Sequence, residues 1–157
     1  PKGTATIDLF EDVAPGHVEQ ITALAEAGAY DGVVFHRVID GFMAQTGDVS
    51  FGNMEKDGFD MRRAGTGVSE RPALKAALSA RPFARGVVGM ARSQSPDSAN
   101  SQFFIMFEPG PFLNGQYTVV GEVTDGMDVV DSIKRGHPRS GAVDGEPDHM
   151  AKVTVTE

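Results

Sequence analysis

The chain has 157 residues, no cysteine and a formal net charge of -8. That length predicts one domain over residues 1–157, large enough to bury a full hydrophobic core. Disulfides, thiolate catalysis and cysteine-ligated zinc are excluded, and the acidic balance argues against a general nucleic-acid binder, which needs a basic footprint to neutralise phosphates.

Nineteen glycines and nine prolines spread along the chain favour many short elements joined by turns, a β-rich pattern. Thr4 to Phe10 alternates, with Ala5, Ile7 and Leu9 on one side, and predicts a half-buried strand. After Pro15, Val18, Ile21, Leu24 and Ala25 recur at helical spacing, and Gly28 stands where the helix should stop. Short β-branched or aromatic runs follow at Val33 to Ile39, Phe42 to Thr46, Val87 to Ala91, Phe103 to Phe107 and Thr118 to Val123, each bounded by turn residues. Met127 to Lys134 predicts a second short helix, and the alternating Lys152 to Thr156 a closing strand. Residues 50 to 86, rich in glycine and proline, predict a long surface loop. Two isolated helices among strands without βαβ alternation point to an antiparallel sheet closed into a barrel, with a helix over each end. No apolar run approaches the roughly 18 residues of a membrane span, so a soluble domain without membrane partners is expected.

Most conventional catalytic patterns are missing. His17, His36, His137 and His149 lack metal-ligand spacing, and there is no nucleophile elbow, phosphate loop or dinucleotide fingerprint. Neither metal nor cofactor is expected. His36 lies in a strand-like run and reads as a buried imidazole satisfied by backbone hydrogen bonds. Arg37, flanked by apolar residues, needs a reason to be there. One is a buried ion pair with Asp48 or Glu122; the other is chemistry. Residues 62 to 92 hold Arg62, Arg63, Arg71, Lys75, Arg81, Arg85 and Arg92 against Glu70 alone, which reads either as solvated loop charges or as a positive rim that attracts acidic peptides.

Two segments shift the balance for Arg37 towards chemistry. Phe35-His36-Arg37-Val38-Ile39 through Phe42-Met43-Ala44-Gln45-Thr46-Gly47-Asp48, and Asn100-Ser101-Gln102-Phe103-Phe104-Ile105, closely resemble the two signatures of the cyclophilin family of peptidyl-prolyl isomerases, with the likeness running from Thr6 to Val155. The resemblance implies a closed eight-stranded antiparallel barrel capped by two α-helices. It also implies that Arg37 carries the catalytic guanidinium and that Phe42, Met43, Phe104 and Leu113 receive the prolyl ring. Gln45 and Gln102 would hydrogen-bond the substrate, the Arg92 backbone would pair with the peptide, Ala91 and Ser93 would line the neighbouring groove, and Phe112 and Tyr117 would close the pocket. Gly65-Thr66-Gly67 matches a family loop beside the groove.

Phe112 and Tyr117 stand where many eukaryotic members have tryptophan and histidine, which resembles the bacterial branch and implies weak cyclosporin binding. Arg92-Ser93 replaces the commoner Asn-Ala. The expected partners are proline-containing peptides and unfolded or folding proteins, and the expected state is a monomer. The expected compartment is the cytoplasm, or the periplasm if a signal segment preceding Pro1 was removed.

Overall fold

The computed structural model describes residues 2–156. Its strands are β1 (Thr6–Leu9), β2 (Val33–Val34), β3 (Arg37–Ile39), β4 (Met43–Thr46), β5 (Val87–Met90), β6 (Phe103–Met106), β7 (Val119–Asp125) and β8 (His149–Met150), with helices α1 (Pro15–Glu26) and α2 (Met127–Asp131). Six strands form one antiparallel sheet in the order β1-β7-β5-β6-β4-β3, and β2 pairs with β8 in a small second sheet.

The predicted closed barrel is therefore corrected: eight strands are present among the described residues, but they divide six and two, and the ladder does not close. The run Val33 to Ile39 breaks because its backbone changes partners. Phe35 N–H donates to Asp148 O at 2.8 Å, on the small sheet, whereas Val38 N–H donates to Gly141 O at 2.8 Å, beside the large one. Between the two ladders Phe35 and His36 belong to neither strand. Lys152 to Thr156 is not a strand. The edge of β2 is already taken by His149–Met150, and Val153 N–H donates instead to the Asp31 carboxylate at 2.8 Å. The second helix ends before Lys134 because Lys134 N–H is captured by Asp148 Oδ2 at 2.7 Å, while Arg135 Nη1 donates to the carbonyls of Asp131 and Ile133.

The first helix follows its pattern. Pro15 occupies the first turn, where a missing N–H costs nothing, and Val18, Ile21, Leu24 and Ala25 are buried. Beyond the helix, Ala29 N–H closes back on Leu24 O at 2.9 Å, with Gly28 in the left-handed conformation, at φ +74°, that such an ending uses.

Period-two alternation then divides each central strand between two apolar clusters. Val38, Ala44, Val88, Met90, Phe103, Ile105 and Val120 face the larger core with Ile21, Leu24 and Val130 of the helices. Met43, Val87, Phe104, Met106 and Val119 belong to a second cluster with Phe83 and Leu113. The outer edge of β3 is covered by residues 136–142: Gly136 N–H donates to Val38 O at 2.7 Å, and Ala142 bridges Arg37. The long connection from 50 to 86 runs as predicted, with only Asn53 and Leu74 in isolated bridges.

Candidate active site

Strand register builds the site. Arg37 pairs with Gln45, Gln45 with Phe104, and Phe104 with Gly89, so one row crosses β3, β4, β6 and β5. Paired residues in a row project to the same face, here the face of the second cluster. Gly89 is needed there: a Cβ at this position would lie 2.5 Å from Phe104 Cζ and 2.6 Å from Phe83 Cε1, so no side chain fits. The missing side chain lets Phe83 stack against Phe104, with centroids 5.7 Å apart, while Tyr117 meets Phe104 edge-on at 6.0 Å.

Over this row lies a cleft of about 110 Å³ lined by Arg37, Phe42, Met43, Gln45, Ala91, Arg92, Phe104, Leu113 and Tyr117. These nine are all among the residues singled out from sequence. The other three stand differently. Gln102 sits behind Gln45, accepting from its Nε2 at 3.1 Å. Phe112 is 68% exposed, its ring 5.5 Å from that of Phe42, so it flanks the mouth. Ser93 is exposed and does not line the cleft; its N–H and hydroxyl engage Ser98 Oγ at 2.9 and 2.7 Å.

Arg37 donates through Nη1 to Gln45 Oε1 at 3.2 Å and through Nε to Ser140 O at 3.3 Å. The ion-pair alternative fails, because both acceptors are neutral and Asp48 is committed elsewhere. Asp48 is fully buried. Its Oδ1 accepts from the N–H of Ser50 at 3.0 Å and Phe51 at 2.9 Å, and its Oδ2 from Gly65 at 2.7 Å and Gly67 at 2.9 Å. Gly67 lies so close that a Cβ would overlap the carboxylate. The carbonyls of Gly65 and Gly67 in turn accept from Gln102 Nε2 at 3.0 and 3.1 Å. A continuous chain of hydrogen bonds thus links Asp48, the Gly65–Gly67 turn, Gln102, Gln45 and Arg37.

His36 is buried, as expected, but not satisfied by backbone hydrogen bonds: neither ring nitrogen has a partner. It is packed beneath Gly65, whose Cβ would come within 3.0 Å of Nε2, and it does not line the cleft. Burial pushes its pKa down from 6.5 to about 4, with Asp48 opposing and Arg37 reinforcing the shift. The folded protein therefore refuses a proton that the unfolded chain accepts below pH 6.5. Stability is complete above that pH and falls between about 6.5 and 4, by at most about 1.4 kcal/mol per pH unit. His36→Gln removes this contribution, so its urea midpoint should drop less than the parent's between pH 7 and 5. Equal drops would show that His36 does not titrate in this way. Buried His17 is shifted in the same direction by burial and remains in both proteins, so it cancels in the comparison.

Sequence reasoning missed three contributors. Phe83 and Gly89 build the floor under Phe104, and a glycine inside the strand run Val87 to Ala91 was the available signal. The Ser140 carbonyl had none, lying 103 residues from the guanidinium it receives.

The family model for cyclophilin type peptidyl-prolyl cis-trans isomerases matches residues 1–157. The chain belongs to that family and is an isomerase of X-Pro peptide bonds. Its relatives include bacterial proteins. It is 61% identical over 153 residues to a probable peptidyl-prolyl cis-trans isomerase of Brucella suis, covering 98% of this chain and 78% of that one. It is 38% identical over 140 residues to peptidyl-prolyl cis-trans isomerase B of Escherichia coli, covering 84% and 79%. Among solved structures it resembles cyclophilin AquaCyp293 from Hirschia baltica, with a TM-score of 0.79 at 26% identity over 97% of this chain and 70% of that one.

Proposed function

We propose that the isomerase works by donation from Arg37 to the nitrogen of a twisted X-Pro amide held over Phe104. The barrier to rotation is about 18–20 kcal/mol, because resonance gives the C–N bond partial double-bond character, and X-Pro bonds turn over in tens to hundreds of seconds unaided. No covalent bond need break. As the amide twists, conjugation is lost and the nitrogen regains a lone pair that accepts a hydrogen bond. A donor aimed at it acts on the transition state and hardly on the planar ground state, so it lowers the barrier instead of tightening binding uniformly.

The observation that carries this reading is the row from Arg37 through Gln45 to Phe104, with an uncancelled guanidinium in the same cleft as the apolar side chains of Phe42, Met43, Phe104 and Leu113. Gln45 and Ser140 hold the guanidinium as neutral acceptors and leave its charge available. An apolar cavity of about 150 Å³ accommodates benzene, so a cleft of about 110 Å³ suits the smaller prolyl ring, with Met43, Phe104 and Leu113 as its walls. Ring and guanidinium then hold one side of the bond while the other turns. The substrates are proline-containing peptides and folding chains.

A guanidinium keeps its proton across the working range of an enzyme, and His36 is buried away from the cleft. Turnover of a short X-Pro peptide in a coupled assay should therefore be nearly flat from about pH 6 to 9. A profile rising or falling tenfold around pH 6.5 would assign the chemistry to a histidine instead.

A further inference from the structure

We propose that Arg92 is a specificity-determining residue that makes the cleft select prolines flanked by a carboxylate side chain; this rests on the cleft being the peptide site proposed above. The chain carries a net charge of -8, yet the nine residues lining the cleft include two arginines and no acid. Neither arginine belongs to an ion pair among the described residues, whereas Arg62, Arg85 and Arg135 pair with Asp60, Asp131 and Asp40. The cleft is thus a positive spot on an acidic protein, and such a spot raises the local concentration of anionic ligands.

Of the basic segment 62 to 92, one side chain reaches the cleft. Arg63 lies over Phe51 and Arg81 over Phe10, Arg85 holds Asp131, and Arg92 alone of the group lines the cleft. Its position is fixed beforehand. The guanidinium carbon is 4.2 Å from the centre of the Tyr117 ring, Nη1 donates to the carbonyls of Ser93 at 2.9 Å and Gln94 at 3.3 Å, and Nη2 donates to Gln116 O at 3.1 Å. These neutral acceptors orient the group without cancelling its charge, and of its five N–H donors one on Nη2 remains open to a ligand, Nε–H being buried without a partner. A cation held in place loses little side-chain freedom on binding.

Strand order sets the direction. Arg37 lies on β3, and Arg92 follows β5; β4 and β6 run between these strands. At about 4.8 Å per strand, β3 and β5 are separated by about 14 Å, with Phe104 in the row between. A prolyl ring on Phe104 would have Arg37 on one side for the amide and Arg92 on the other for a neighbouring residue.

The test compares kcat/KM for tetrapeptides with Glu, Gln or Lys immediately before the proline, and a second set with the substitution immediately after it. Each is run at about 10 mM and 1 M salt, where the Debye length is about 30 and 3 Å. In the parent, Glu should exceed Gln about fivefold or more in one set at low salt, Lys should fall below Gln, and the preference should fade at high salt. Arg92→Gln should bring the Glu-to-Gln ratio close to one, and Arg92→Lys should retain part of it, which a merely structural role would not do. Equal rates for Glu and Gln in both sets, or a ratio that survives Arg92→Gln, would overturn the proposal. NMR shift titration of the same peptides gives the affinity ratio independently of turnover. If no peptide is isomerised, the isomerase mechanism fails, and the affinity ratio alone supports or overturns the role of Arg92.

Discussion

Arg37→Ala lowers kcat/KM for an X-Pro peptide by about 10²–10³-fold, the effect of removing one preorganised transition-state donor, while the melting temperature stays within a few degrees of the parent. The two halves of this result have separate causes. Catalysis suffers because the donor to the developing lone pair is gone, so the loss should fall on kcat with little change in KM. Folding is spared because the partners left behind are one side-chain amide oxygen and one carbonyl, both neutral and at the half-exposed edge of the cleft, instead of a buried carboxylate. Arg37→Lys should fall between, since an ammonium retains the charge but not the planar fork that engages Gln45 and Ser140 together. Stopped-flow or coupled-protease kinetics with parallel thermal melts checks all three. A kcat preserved in Arg37→Ala, with only KM raised, would make Arg37 a binding residue and would end the proposed mechanism.

Asp48→Ala should destabilise the chain by about 3 kcal/mol or more, because four backbone donors lose a charged acceptor at once and those of Gly65 and Gly67 lie in or near the interior. In a chain of this size that is about 6–12 °C in melting temperature. Asp48→Asn should cost less but still measurably: one oxygen keeps its pair of N–H groups, while the amide nitrogen faces the other pair donor to donor. Asparagine indistinguishable from aspartate in urea or thermal unfolding would show that the charge is not what holds the turn. Activity should follow stability in the asparagine variant under conditions where it remains folded, because the Gly65 and Gly67 carbonyls position Gln102, which positions Gln45 and through it Arg37. A kcat about tenfold below the parent is the expected size for a displaced guanidinium.

Much of the site was legible because its residues sit in two short runs that resemble the cyclophilin signatures, and the fold brings those runs together on one face. Arg37, Met43, Gln45 and Phe104 share one face by strand parity, and parity is a local property. The elements that were misread all depend on a partner from far along the chain. Val33 to Ile39 looks continuous until Asp148 and Gly141 take different parts of it, and Met127 to Lys134 looks helical until Asp148 takes the Lys134 amide. Lys152 to Thr156 alternates well, but His149 and Met150 already hold the edge of β2 and Asp31 takes the Val153 amide. Barrel closure failed for the same reason: it is a statement about which strands meet, and two-residue strands carry almost no record of that. His36 shows the converse limit. Its burial could be read from its neighbours, whereas its lack of any hydrogen-bond partner depends on Gly65, in a loop with no regular structure.

The segment 136–142 along the outer side of β3 has a consequence for handling disordered chains. A protein that admits extended, unfolded polypeptide to its surface risks having that polypeptide join its sheet as another strand. The strand bearing Arg37 is the one beside the cleft and would otherwise present bare backbone donors and acceptors there. With Gly141, Gly136 and Ala142 already bonded to it, an arriving segment finds side chains to touch at this edge but no ladder to extend there.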